Sequence, residues 1–134
     1  MEEIRIDTIV IKTLLAIGCG SAVGGICRYL LTELLSRQEL KLLPWGTFAV
    51  NILGCFLIGL IFGLIDRGLG IGPAMKAFLT VGFCGGFTTF STFINENFMM
   101  LSTGQALSAI CYTVLSFAIG LLAMWGGHSL TTQL

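Results

Sequence analysis

Four long stretches of this chain carry no Asp, Glu, Lys or Arg: Thr13 to Cys27, Leu42 to Ile65, Ala77 to Asn95, and Asn97 onward. Each is mainly apolar, and a helix that crosses a bilayer needs about 20 such residues. The expected fold is all-α and integral to a membrane, with four spans near 11–33, 45–65, 74–100 and 105–126. Only 10% of the 134 residues are charged, against about 25% in an ordinary soluble domain. A water-soluble monomer is excluded, and one four-helix transmembrane domain over residues 1–134 accounts for the chain.

What lies outside the spans narrows the function. The chain begins Met1-Glu2-Glu3, acidic where a secretory signal is positive, so the first span is expected to be retained. The five cysteines (Cys19, Cys27, Cys55, Cys84, Cys111) are odd in number, fall inside the spans and form no C-x-x-C pair. That argues against a disulfide framework or a zinc site and for small apolar packing residues. A formal net charge of +0 gives no footprint for nucleic acid. No G-x-x-x-x-G-K-[ST] loop is present for a nucleotide. The lone His128 follows the last span, no nucleophile–base pair stands out, and an enzyme is not expected.

Lys and Arg in the loops normally set orientation, the richer side staying cytoplasmic. Arg5, Lys12, Arg67 and Lys76 flank one side of the four-span scheme, and Arg28, Arg37 and Lys41 the other. Such balance is compatible with insertion in one direction, and equally with insertion in both and an antiparallel dimer. Some oligomer is expected, because four short helices can barely enclose a pathway. Gly20-x-x-x-Gly24 and Gly59-x-x-x-Gly63 match the small-xxx-small pattern of close helix approach.

Polar groups inside hydrocarbon must find partners or line a wet cavity. In the second span Thr47, Asn51, Gly54 and Ile58 share a helical face. The Asn51 amide, with two donors and two acceptors, serves either as interhelical glue or as a cavity lining. In the fourth span Gln105, Ser108, Tyr112, Ser116 and Gly120 form a second polar stripe. Arg28 and Glu96 stand near span ends, where long side chains also reach the interface. The third span reads Gly82-Phe83-Cys84-Gly85-Gly86-Phe87-Thr88-Thr89-Phe90-Ser91-Thr92-Phe93. Paired glycines followed by paired threonines disfavour a continuous helix. A break would free backbone groups at mid-membrane depth, as broken helices that coordinate ions do. The alternative is a kinked helix with Phe90 and Phe93 packed on one side.

Together these residues resemble the small fluoride channel family, called Fluc or CrcB. The resemblance rests on Gly24-Gly25-x-x-Arg28-Tyr29, on Gly46-Thr47-x-x-Val50-Asn51-x-x-Gly54, and on Gly82-x-x-Gly85-Gly86-x-Thr88-Thr89-Phe90-Ser91-Thr92-Phe93-x-x-Glu96. It implies a homodimer of oppositely inserted subunits in a bacterial-type cytoplasmic (inner) membrane. It also implies a structural sodium ion (Na+) held at the dimer centre by the carbonyls of Gly85 and Thr88. Fluoride would pass through two pores by way of Asn51, Phe90 and Phe93, with hydroxyls from Thr47, Thr89, Tyr112 and Ser116. Arg28 and Glu96 would lie toward the pore mouths or the interface. Where the family often continues the fourth-helix stripe with a hydroxyl, this chain has Gly120. Transport would be passive, since no carboxylate sits mid-span to carry a proton. A small multidrug-resistance-type proton-coupled exporter has similar length but needs an acid within the first span, and none lies between Lys12 and Glu33. A non-transporting subunit of a larger complex would explain the glycines but not three polar constellations.

Overall fold

A computed structural model describes residues 2–36 and 43–133. In chain order these form α1 (Glu2–Ser36), α2 (Trp45–Asp66), α3 (Pro73–Ala77), a π-helical segment (Phe78–Cys84), α4 (Gly85–Phe87), α5 (Phe90–Ser102) and α6 (Ala106–Gln133). Among the described residues there is no strand. Four spans are long and apolar enough to cross a membrane: Asp7–Ser36, Trp45–Asp66, Pro73–Ser102 and Ala106–Gln133. Their order and placement agree with the charge-free stretches. The fourth runs on to Gln133 instead of ending at 126. Its last turns are held to the end of α2 by polar contacts: the Arg67 guanidinium donates to the Thr131 carbonyl at 3.0 Å, and His128 Nε2 lies 2.8 Å from Asp66 Oδ2. Arg37 and Lys41, two of the flanking charges, lie outside the described residues.

Both small-xxx-small pairs lie at helix contacts. A Cβ on Gly59 would run into the Met124 carbonyl of α6, and one on Gly127 into the Phe56 carbonyl of α2. A Cβ on Gly20 or Gly24 would strike the carbonyls of Phe78 and Phe83 in the π-helical segment. At these glycines the backbones of α2 and α6, and of α1 and the third span, therefore meet with no side chain between them. Dispersion at such close range is the main attraction available between helices in lipid. The large apolar side chains mostly point away from these seams, as Leu14, Leu107, Leu121 and Trp125 do, and suit contact with lipid.

The third span is interrupted within the glycine and threonine run, as expected, and the interruption falls at the threonines. Pro73 opens it at N1, where its missing N–H costs nothing. Gly85 keeps helical angles (φ −64°, ψ −37°), and α4 covers both glycines. A Cβ on Gly86 would collide with the Ser21 backbone of α1, so this glycine serves close packing and does not bend the chain. The chain becomes extended at Thr88 (φ −84°, ψ 161°) and Thr89 (φ −149°, ψ 113°). Thr89 then caps α5, its hydroxyl accepting the Thr92 N–H at 3.3 Å.

Candidate functional site

The break is built from three directions. Asn51 of α2 meets both backbone groups of Thr89: the Thr89 N–H donates to Asn51 Oδ1 at 2.8 Å, and Asn51 Nδ2 donates to the Thr89 carbonyl at 3.1 Å. Each of those groups would otherwise stand unpaired in a medium without water, at a cost of several kcal/mol. From α1, Arg28 Nε donates to the Gly86 carbonyl at 3.1 Å. Within the span, the Thr88 N–H and hydroxyl both donate to the Cys84 carbonyl, at 3.0 and 2.9 Å. Gly54 lets α2 come close, since a Cβ there would strike Thr88 Cγ2.

This arrangement releases backbone carbonyls. In a continuous helix the Gly85 oxygen would accept from Thr89 and the Thr88 oxygen from Thr92. Those two N–H groups are instead drawn to Asn51 Oδ1 and Thr89 Oγ1. Gly85 is exposed on the single chain and, with Thr88, Gly54, Cys55 and Cys84, borders a pocket of about 220 Å³. Among the described residues no group of three His, Cys, Asp or Glu side chains is gathered for a metal. Freed carbonyl oxygens suit a hard cation and not a soft one, so the donor set fits sodium.

A second cluster lies toward the start of α2. The Thr47 hydroxyl donates to Glu96 Oε1 at 2.6 Å, and the Tyr112 hydroxyl to Glu96 Oε2 at 2.8 Å. Thr47 and Tyr112 are buried, Tyr112 completely. Beside it Asn97 donates to the Phe93 carbonyl and accepts from the Thr113 hydroxyl, both at 2.9 Å. Glu96 also borders an open vestibule of about 480 Å³, together with Asn95, Thr103 and Gln105.

Past the cluster, from the level of Asn51 and Ser116 onward along α2 and α6, lies a cleft of about 250 Å³ lined by Asn51, Cys55, Phe90, Phe93, Ser116 and Gly120, among others. Phe93 is buried and packs on Tyr112, ring centroids 5.0 Å apart. Its neighbour Phe90 is 69% exposed, with its ring 6.1 Å from that of Phe93. Ser116 Oγ is buried in the chain with no hydrogen-bond partner. An amide carries two N–H donors, so Asn51, having given one to Thr89, keeps one more.

Sequence reasoning named most of these residues, and the fold gathers them as three groups. Asn51 joins Thr89; Thr47, Glu96 and Tyr112 form one cluster; Phe90, Phe93 and Ser116 share the cleft with Asn51. Arg28 borders neither cleft nor vestibule but holds the break from the α1 side. Glu96 is turned inward to two hydroxyls and does not simply reach for the interface.

A sequence model of the family described as CrcB-like protein, Camphor Resistance (CrcB), matches residues 15–128. This chain belongs to the CrcB family. All the site residues named above fall within the matched stretch. Among CrcB relatives, a protein named fluoride-specific ion channel FluC from Flavobacterium psychrophilum is 42% identical over 92% of this chain and 99% of its own length. The FluC of Phocaeicola vulgatus is 47% identical over 87% of this chain and 95% of its own, and that of Geobacter sulfurreducens 43% over 91% and 98%. With four apolar spans and this membership, the chain is a multi-pass membrane protein. Cys55 is the cleft residue that sequence reasoning set aside as packing, although it lies one helical turn beyond Asn51 on the same face.

Proposed function

We propose that this chain is a passive, fluoride-selective channel that lets cytoplasmic fluoride leave a bacterial cell across its inner membrane. The observation that carries the reading is the cleft. It offers a spare Asn51 N–H and an unpartnered Ser116 hydroxyl in an otherwise mainly apolar space, in a family whose relatives are named fluoride-specific channels. Fluoride is small, tightly hydrated and a strong acceptor, so a pore must replace its lost water with donors. Asn51 and Ser116 supply N–H and O–H groups, while Phe90 and Phe93 present ring edges, where the aromatic quadrupole is positive. Thr89 spends its hydroxyl mainly on capping α5. At the mouth, Thr47 and Tyr112 give their hydrogens to Glu96; they serve an anion there when those hydrogens turn from the carboxylate. Glu96 thus positions donors and does not carry the ion.

Flow would be driven by the gradient and by an inside-negative potential, about 2.3 kcal/mol per charge per 100 mV. The working unit is a homodimer of two oppositely inserted copies, which supports two pores and covers Phe90, a ring left largely bare on one chain. The Gly85 and Thr88 carbonyls of both copies would hold a structural sodium ion, four oxygens in all. When bound, that ion supplies a fixed positive charge that ties the two breaks together.

The test is fluoride release from liposomes containing the purified protein, read by a fluoride electrode with potassium and valinomycin balancing charge. Fast release of fluoride with chloride retained is the expected result. No release from a well-folded protein would remove the reading.

A further inference from the structure

On α6 the residues Tyr112, Ser116 and Gly120 follow one another four apart on a single face, and the last contributes no side chain to the cleft. The space is not left apolar. A Cβ on Gly120 would lie 3.5 Å from Cys55 Sγ, an ordinary contact distance, with Ile52 Cδ1 next at 3.8 Å. The sulfur of α2 therefore stands beside the place where a Gly120 side chain would project. Cys55 and Gly120 line the cleft with Asn51 and with Ser116, whose buried hydroxyl lacks a partner and so already marks this space as one awaiting a ligand. Cys55 also borders the pocket beside Gly85 and Thr88, which puts it between the cleft and the break.

We propose that the Cys55 sulfhydryl is a further pathway residue, donating S–H to the permeating anion at the level where α6 offers only Gly120. This rests on the channel reading above. A thiol is a weaker donor than a hydroxyl, which suits a step where the ion must be held but also let go.

The proposal predicts a reciprocal pattern in liposome fluoride efflux. Cys55→Ala should slow efflux about tenfold, the order expected for losing one weak hydrogen bond to a charged group. Cys55→Ser, which keeps a donor, should run at least as fast as the unmodified protein. In the double variant Cys55→Ala/Gly120→Ser the new hydroxyl enters the space given up by the sulfur, and efflux should return to within about threefold of the original. Each variant is checked as a folded dimer by gel filtration before reconstitution. Should Cys55→Ser fold poorly, the alanine variant and the double variant carry the test. Unchanged efflux in Cys55→Ala would overturn the proposal. So would slow efflux that Gly120→Ser fails to restore, because a sulfur needed only for packing gives that result. Absence of fluoride efflux from the unmodified protein would instead strike the channel reading itself, so the two failures are distinguishable.

Discussion

The seam between α2 and α6 and the break in the third span solve the same problem in opposite ways. Both must hold helices together in lipid, where burying apolar surface yields little. Along the seam the chain removes side chains: Gly59, Gly63 and Gly127 bring backbones together, and polar contacts join its end, between Arg67 and Thr131 and between Asp66 and His128. At the break the chain does the reverse. It interrupts its own hydrogen-bond ladder and satisfies the loose groups with side chains from other helices, Asn51 from α2 and Arg28 from α1. The seam depends on shape and tolerates no added atoms. The break depends on hydrogen bonds and tolerates no lost ones. Along the seam the backbone ladder is complete; at the break it is open, and its loose groups are the ones that other helices' side chains meet.

The largest effect is expected from filling the seam. Gly59→Leu places a branched side chain against the Met124 carbonyl, which is backbone and cannot rotate away. Overpacking a tight contact costs about 1–3 kcal/mol even where side chains give way, and here α2 and α6 must separate. The variant should fail to yield a monodisperse species on gel filtration after detergent extraction. A normal elution profile with unchanged melting would show that the seam is loose.

Second comes the break. Asn51→Leu has almost the same volume but leaves the N–H and C=O of Thr89 unpaired, at about 1–3 kcal/mol for each group. Melting should move down by several degrees, while fluoride efflux falls to the background of empty liposomes. Asn51→Leu thus tests two roles of one amide, holding the backbone and lining the cleft. Lowered stability with full efflux would leave it the first role alone.

The seam was legible in the sequence and the break only partly so, for a physical reason. Charge-free stretches and glycine spacing are local signals, and they placed four spans and both close contacts. Paired glycines and threonines also announced an interruption in the third span. Which residues of that run leave the helix was not legible, because Thr89 is held by a partner 38 residues earlier in the chain, which no local propensity encodes. The same holds for Arg28, whose acceptor lies 58 residues away, and for the end of α6, which continues past 126 because α2 happens to present Asp66 and Arg67 there. Asn51, Thr47, Tyr112 and Ser116 were visible as polar residues on apolar faces. Which of them would spend their hydrogens on Glu96, and which would keep them, depends on how helices rotate against each other.

Ser116 gives the smallest effect and the sharpest contrast between holding a fold and serving an ion. Its hydroxyl is buried without a partner, and an unsatisfied buried polar group costs a protein about 1–3 kcal/mol. Removing it should therefore help the fold: Ser116→Ala is expected to melt at the same temperature or a few degrees higher. If the hydroxyl is kept for a passing anion, the same change should slow fluoride efflux by about tenfold, the worth of one hydrogen bond to a charged group. Stability and transport would then move in opposite directions in one variant, which neither Gly59→Leu nor Asn51→Leu can show. Raised melting with unchanged efflux would place Ser116 outside the pathway. Lowered melting would mean that the hydroxyl does find a partner in the assembled dimer, and that its role belongs with the structural bonds of the break.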